Sequence, residues 1–511
     1  MGKTLKAFPK GKTLKAFPKG KTLKAFPKGK TLKAFPKGKT LKAFPKGKTL
    51  KAFPLGGRWR EAPDEGKHRK FNEVNIMKKF GKYSRSVSII GAGCTPFMYT
   101  VDNEETNGLT EGELFGYAAL KAMEDAGVNP QDVDFYFHGC ASPLNGSNYL
   151  TPNVQIANWF GMKGKGSIHH SEACCTGYLA IEQAVNAVAS GKYDCVLTGA
   201  VEFGDSTPSP ADNVETPKHP YKRDKMTMEK FLKTTSWLYD RTYTRSLMAG
   251  QELIYDDAAE WYVRTRGISA EDMNNTLNAM CINNRRNASV NPLAIERTTY
   301  EELAEKAGMT LDEYMNSPYN PKMGDFLRAG GLELKCDGAA ACIVCATEKI
   351  PEIAKNLKHK PIEVLGIGSA ACEATTPHFE VRATEEAVKQ VYESTGLSGD
   401  DLDLFFANDF IITSHLVSAE IAGYLPYGEG WKYICDGRTA WDGDKPINSN
   451  GGRTSFGHAH AASGLADMYE ACKQMWNECG DRQVKKLPKT TMLRGYGGAQ
   501  NVAAIIIRTM D

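Results

Sequence analysis

The sequence predicts an α/β fold, and two observations carry that prediction. Short β-like runs ending in glycine alternate with amphipathic helical patterns along most of the chain. The series also starts twice in the same manner, at Ser86-Val87-Ser88-Ile89-Ile90-Gly91 and at Ile362-Glu363-Val364-Leu365-Gly366, so two related halves are expected. A chain of 511 residues, 41% hydrophobic and 24% charged, can bury a substantial core and suggests about three domains, or two large halves with an insertion. Apolar runs stay well short of the roughly 18 residues of a membrane-spanning helix. Thirteen cysteines without a secretory-type apolar segment point to a reducing cytoplasm rather than a disulfide framework.

The net charge of +4 conceals an uneven distribution. Residues 2–54 are six copies of Gly-Lys-Thr-Leu-Lys-Ala-Phe-Pro joined by single lysines, a nine-residue period with 17 lysines and no acidic residue. Removing those lysines from the 64 basic residues leaves 47 against 60 acidic ones, so the remainder carries −13. Such a body lacks the basic signature of a nucleic-acid-binding domain. Each repeat contains a proline, which removes a backbone donor and disfavours helix before it, so residues 1–84 read as a disordered basic tail and linker. Loose attraction to a polyanion is the functional alternative to a dispensable extension.

The body opens with a strand that runs into Gly91-Ala92-Gly93-Cys94. A dinucleotide loop would need a third glycine where Pro96 stands, so a plain strand-to-loop turn is expected there. Helical periodicity covers 110–126, a strand 133–138 and a helix about 153–160. Gly166-Ser167-Ile168 then reads as a strand, followed by His169-His170-Ser171-Glu172-Ala173-Cys174-Cys175-Thr176-Gly177 as a tight turn into a helix over 177–190. A cysteine at a helix start lies near the positive end of the macrodipole, which favours thiolate. Equally, Cys174 and Cys175 could be small buried residues. A buried strand follows at 195–200. Residues 205–330 break the rhythm with a polar, helix-rich stretch holding Pro208, Pro210, Pro217, Pro220, Pro292, Pro318 and Pro321, the pattern of an inserted cap or loop domain.

The α/β rhythm resumes at 337–345. Cys342 and Cys345 could suggest redox or metal chemistry, but residues three apart on a strand face opposite ways, so burial is the expected role. Strands at 362–368, 402–407 and 502–507 and a helix at 384–395 complete the second series. Three stretches in it read as loops built for close approach to a ligand: Asn408-Asp409-Phe410 after a buried strand, Asn448 to Arg453 leading into Phe456-Gly457-His458-Ala459-His460-Ala461-Ala462-Ser463-Gly464, and Arg494-Gly495-Tyr496-Gly497-Gly498-Ala499. Small residues let backbone N–H groups reach a ligand, and a thiol with a remote histidine is the minimum for nucleophilic catalysis.

In this order, Cys174-Cys175-Thr176-Gly177, Asn408-Asp409, Gly457-His458 with Ala462-Ser463-Gly464, and Gly497-Gly498 resemble the motifs of the thiolase superfamily over roughly residues 86–511, most of all its sterol-carrier-type and archaeal-like branch. The resemblance implies two similar halves in five layers (αβαβα), residues 85–350 and 351–511, with the 205–330 insertion as a loop domain that handles coenzyme A. It implies Cys174 as nucleophile, His458 and Asn408 as its catalytic partners, and the backbone amides of Cys174 and Gly497 as oxyanion donors. The sequence departs from the family pattern in three ways. Ala459 and Ala461 replace a proline and a glycine of the histidine box, Gly495 stands where many thiolases carry a second, acid–base cysteine, and Phe410 fills the alternative place for one.

A narrower resemblance is to the thiolase subunits of benzoylsuccinyl-CoA thiolases of anaerobic toluene degradation, which work with a small OB-fold, zinc-ribbon subunit. It implies thiolytic cleavage of a 3-oxoacyl-CoA with coenzyme A as co-substrate, no metal or permanent cofactor in this chain, a homodimeric core, and neither nucleic acid nor membrane as partner. A substrate with a free carboxylate would need a cation, for which His460, Arg453 and Arg494 are the candidates. A condensing synthase on the same fold and a non-catalytic lipid-binding or scaffold subunit are the alternatives.

Overall fold

A computed structural model describes residues 83–140, 151–203, 252–372, 380–497 and 501–510. The lysine repeat, the linker up to residue 82, the first part of the insertion and Gly498 lie outside the described residues. Nine strands form one mixed sheet: β1 Val87–Cys94, β2 Phe135–Gly139, β3 Gly166–His170, β4 Cys195–Glu202, β5 Gly338–Ala346, β6 Ile362–Ala371, β7 Leu404–Ala407, β8 Thr490–Tyr496 and β9 Asn501–Thr509. The strand order is β3-β2-β4-β5-β1-β6-β9-β8-β7. Eight helices matter below: α1 Glu111–Ala126, α2 Thr176–Ala189, α3 Glu252–Arg266, α4 Ala270–Ser289, α5 Tyr300–Ala307, α6 Glu380–Thr395, α7 Thr413–Ile421 and α8 Ser463–Met475. Among the described residues no helix is long and apolar enough to cross a membrane.

The sheet is a duplication. In the first half β2 pairs in parallel with β3 and β4, and β5 then runs antiparallel to both β4 and β1. The second half repeats this with β7 parallel to β8, and β9 antiparallel to β8 and β6. The counterpart of β3 is reduced there to one parallel bridge, Phe405 with Ile447. The halves meet where Ser88 and Ile89 pair with Glu363 and Ile362.

Even the irregularities match. β1 carries a bulge between Ile89 and Gly91, and β6 carries one between Val364 and Gly366. Gly91 and Gly93 lie inside β1, which corrects the expected strand-to-loop turn. Their place is fixed by helix packing, since a Cβ on Gly93 would stand 2.3 Å from the Ala118 carbonyl oxygen of α1. In the second half a Cβ on Gly368 would stand 2.1 Å from the Ala387 oxygen of α6. Both glycine pairs let a helix lie directly on its strand.

Three buried clusters give the layers. One joins α1 to the outer face of the first half, through Ile90, Phe115, Ala118, Ala122 and Tyr136. A central one holds α2 and α8 between the inner faces of both halves, through Val87, Tyr178, Ile181, Leu465 and Ile505. The third covers the outer face of the second half with α6 and α7. The order is therefore helix, first half of the sheet, helices, second half of the sheet, helix, as expected. Strand β5 is buried along its whole length because both its faces are covered. On it Cys342 faces the central cluster and Cys345 the outer one, so this Cys-x-x-Cys is not a paired site.

The described part of the insertion is helical. Ser269 and Thr299 cap α4 and α5 with reciprocal capping boxes to Asp272 and Glu302. These helices share the apolar cluster of the second half, where Tyr262, Met273 and Met280 join Phe410 and Leu416. Tyr262 donates to Glu420 at 2.5 Å, and Arg266 reaches the same carboxylate at 3.3 Å.

Candidate active site

Cys174 is placed by a compact turn between β3 and α2. The thiol sits in a short helical turn, Ala173–Cys175. Just before it, Ala173 is held at φ +45°, a left-handed conformation that costs a residue with a Cβ roughly 1–2 kcal/mol. The turn is locked by the Glu172 N–H donating to Thr176 Oγ1 at 2.8 Å and by that hydroxyl donating to the Ala173 carbonyl at 2.6 Å. Gly177 is required because α2 abuts α8 here, and a Cβ would lie 2.8 Å from the Ala461 oxygen.

The turn aims Cys174 Sγ at His458 Nε2, 3.1 Å away across 284 positions of sequence. On the far side of the ring, His458 Nδ1 is 3.0 Å from Ser463 Oγ. The Ser463 hydroxyl donates to the Ala459 carbonyl at 3.2 Å, which uses its single hydrogen. Nδ1 must therefore carry the proton shared with Ser463, and Nε2 is left as an acceptor for the thiol hydrogen. Phe410 lies parallel to the imidazole with centroids 6.0 Å apart. Sequence reasoning quoted Ser463 within the histidine box but gave it no role.

Burial sets the charge state of this pair. It pushes the Cys174 thiol up to about 12, with Glu333 and Glu202 adding to the shift and Arg453 and Lys335 opposing it. Burial likewise holds the His458 imidazole well below its usual value. The resting dyad is thus neutral thiol and neutral imidazole, not the thiolate that a helix start suggests, because desolvation outweighs the macrodipole. Cys175 faces the central core, fully buried, and burial pushes its thiol up as well.

The remaining expected groups divide. His460 joins the site, its ring 4.7 Å from that of His458 in an edge-on arrangement. Its Nδ1 lies 4.0 Å from Glu202, which also accepts from the Ala461 N–H at 3.2 Å. Asn408 is present but spends its amide hydrogens on the carbonyls of Tyr496, at 2.8 Å, and Cys174, at 3.4 Å. It positions the Cys174 turn. Asp409 ties the insertion to the site, accepting from Asn284 and from the Arg453 N–H, both at 2.8 Å.

Gly497 does not offer the free amide expected of it, since its N–H donates to the Asn501 carbonyl at 3.0 Å. Its neighbours Arg494 to Tyr496 belong to β8 rather than to a loop. Arg453 and Arg494 are buried and tied to acidic partners rather than standing as free cations in the site. Arg453 is fully buried and bidentate on Asp467, at 3.0 and 2.5 Å, with Nε on Asn408. Arg494 Nη2 donates to Glu380 and Thr384, both at 2.6 Å, while its buried Nε and Nη1 have no hydrogen-bond partner among the described residues. A desolvated guanidinium needs such partners, so both serve the scaffold.

The cation near the dyad that sequence reasoning missed is Lys335. It pairs in the backbone register of His458, is exposed, and acts on both Cys174 and His458 through space. Only the tertiary fold brings these segments together, so nothing in the local sequence signalled it. Ligand atoms of Cys174, His458 and His460 all lie within 4.8 Å of one another and could hold a metal ion, which would occupy the thiol.

The missing second cysteine has a steric reason. A Cβ at Gly495 would stand 2.2 Å from the Tyr178 ring. That ring is pinned by the hydroxyl's hydrogen bond to Asp467 and by Arg453 Nη2 at 3.1 Å.

Residues 370–509 match the thiolase C-terminal domain-like family, and residues 139–207 match the N-terminal domain of beta-ketoacyl synthases. An acetyl-CoA acetyltransferase of Methanothermobacter thermautotrophicus is 27% identical over 423 residues, covering 83% of this chain and 99% of that protein. The benzoylsuccinyl-CoA thiolase subunit BbsB of Thauera aromatica is 28% identical over 426 residues, 82% of this chain and 96% of its own. Sterol carrier protein 2 of Bos taurus is 27% identical over 412 residues, 78% and 68% of the two chains. A solved Ltp2-ChsH2(DUF35) aldolase superposes with a TM-score of 0.62 at 19% identity, covering 83% of this chain and 98% of that one, which is a likeness of fold.

Proposed function

We propose that the chain, similar to thiolases and acetyl-CoA acetyltransferases along most of its length, is an acyl-CoA C-acyltransferase that cleaves a 3-oxoacyl-CoA through an acyl-enzyme on Cys174. The observation that supports this most directly is the Cys174–His458 contact of 3.1 Å with Ser463 fixing the imidazole tautomer. His458 Nε2 takes the thiol proton as Sγ attacks the 3-oxo carbon. The Cys174 amide supports the developing oxyanion. When the tetrahedral adduct collapses, the bond between carbons 2 and 3 breaks and its electrons become the enolate of the departing CoA thioester. A histidinium proton then goes to carbon 2. Coenzyme A enters, gives its thiol proton to an imidazole, attacks the acyl group and displaces the Cys174 thiolate, which is reprotonated.

Two proton transfers of opposite sense are needed, and His460 beside His458 is the group we assign to the second, in place of the absent cysteine. Lys335 is the cation that an acyl chain with a free carboxylate would meet, as in the substrate named for the Thauera relative. That relative is named as a subunit, which supports a partner subunit for this chain too, the small OB-fold, zinc-ribbon kind being the one the resemblance implies. The half-exposed edge strand β3, with Ile168 50% exposed, suits pairing with a second copy in a homodimeric core. The named activities of the relatives favour thiolysis over the condensing and scaffold readings.

The test is mass spectrometry of the full chain after mixing with a panel of 3-oxoacyl-CoA thioesters. An acyl mass on Cys174, discharged by coenzyme A, is expected. Turnover with the acyl group on another residue, or with none trapped from any turned-over substrate, would sink the proposal.

A further inference from the structure

A second group of ligand-type side chains converges outside the Cys174 dyad, where the carboxyl ends of β2 and β3 meet the start of α1. His138 and Cys140 are two residues apart and share the face of β2 turned to α1, where the His138 ring lies 4.5 Å from Phe115. Glu111 is the first residue of α1. One ligand atom from each of Glu111, His138 and Cys140 lies within 4.8 Å of the others, and all three residues are buried. His169 pairs in register with His138 on the neighbouring strand, and its Nε2 is 2.9 Å from Cys140 Sγ. His138 is 0% exposed, yet among the described residues neither ring nitrogen has a hydrogen-bond partner. A fold seldom buries an imidazole with both nitrogens unsatisfied unless something else binds there.

We propose that Glu111, His138 and Cys140 form a binding site for a divalent transition metal, zinc foremost, with the fourth position open to water and His169 hydrogen-bonded to the Cys140 sulfur. A thiolate, an imidazole and a carboxylate are the donor types zinc takes in tetrahedral sites. Charge also balances: one thiolate and one carboxylate neutralise a dication, and the neutral His138 imidazole and a water complete the shell. Binding replaces the Cys140 S–H bond with an S–metal bond and releases the proton to solvent. Ligand atoms around such an ion stand roughly 3.5 Å apart, given bonds of about 2.0–2.3 Å, so the site forms by a modest contraction.

The other two clusters of this kind differ. His458 already uses both nitrogens, on Cys174 and Ser463. His359, between Asp125 and Glu478, has the ammonium of Lys473 at 2.9 Å from both carboxylates, so that charge is already met. A metal at Cys140 would join β2 to the first turn of α1, at the end of β3 from which the chain turns to Cys174. The role is structural and independent of the thiolysis proposed above.

The full chain, purified without any partner subunit, is loaded with zinc, dialysed and analysed for metal, in parallel with Cys174→Ser, Cys140→Ser, His138→Gln and His169→Asn. Cobalt(II) is substituted to read the ligands by absorption. Expected are one tightly held zinc per chain in the unmodified and Cys174→Ser proteins, a thiolate-to-cobalt charge-transfer band with tetrahedral ligand-field bands, and a fall in melting temperature with a chelator. Cys140→Ser loses the charge-transfer band, and His138→Gln and His169→Asn bind at least tenfold more weakly. The chelator shift is read in the unmodified protein, so the test survives a variant that fails to fold. Absence of bound zinc in the folded chain, or a cobalt spectrum lost in Cys174→Ser and kept in Cys140→Ser, overturns the proposal.

Discussion

Ser463 Oγ stands 3.0 Å from His458 Nδ1 while giving its own hydrogen to the Ala459 carbonyl, so one hydroxyl decides which nitrogen of the ring can act as base. Replacing it with alanine leaves a buried N–H without an acceptor, at a cost of about 1–3 kcal/mol. Ser463→Ala is therefore expected to lower kcat/KM for thiolysis about 10- to 100-fold. An unchanged rate constant across pH 6–9 would remove Ser463 from the mechanism.

The two adjacent cysteines separate cleanly in space, one toward His458 and one into the central core. Cys174→Ser should abolish thiolysis, by roughly a thousandfold or more, whereas Cys175→Ser keeps turnover within about tenfold and instead lowers the melting temperature. The reverse pattern in a CoA-release assay would move the nucleophile by one residue.

Reactivity of the free thiol should follow its charge state. Because burial pushes Cys174 up to about 12, its folded-state preference is for the protonated form, and the thiolate fraction grows about tenfold per pH unit below that value. Iodoacetamide labelling of Cys174, followed by peptide mass analysis, should climb from pH 7 to pH 10 with no plateau. A plateau below pH 8 would reveal a preformed thiolate–imidazolium pair.

Two cations named for this region should behave differently. Arg453→Met leaves Asp467 buried and unpaired, which costs about 3–5 kcal/mol and shows as a large fall in melting temperature. Lys335→Ala is exposed and in no ion pair among the described residues, so it should leave the melting temperature unchanged and raise KM for acyl-CoA carrying a free carboxylate. Equal KM values for the Lys335 variant and the unmodified enzyme would exclude that contact.

Gly495 gives a steric prediction. Gly495→Cys, which restores the second cysteine of many thiolases, meets the Tyr178 ring at 2.2 Å and should destabilise the protein by about 1–3 kcal/mol or more rather than raise activity. A variant of normal stability and higher turnover would show that the ring can move aside.

Much of the fold was legible because its causes are local. The capped helix at 111–126, the buried strands at 195–202 and 338–346 and the opposed faces of Cys342 and Cys345 follow from periodicity alone. Gly91 and Gly93 were misread as a turn because their need arises from α1, more than twenty residues downstream in the sequence. Strand β8 was taken for a loop at Arg494 to Tyr496, since glycine and charge there answer to Tyr178 and Glu380.

By itself the sequence determined the α/β class, the duplicated start and the order of motifs that brings Cys174 and His458 into consideration, because these depend on residue type and spacing. The tertiary structure decided which groups are free to act. Arg453 and Arg494 are bound to Asp467 and Glu380, the Gly497 amide is spent on Asn501, and Lys335 is left unpaired near the dyad. Whether a charge or an amide is available depends on partners brought close by packing, and desolvation by that same packing makes the Cys174–His458 pair neutral at rest.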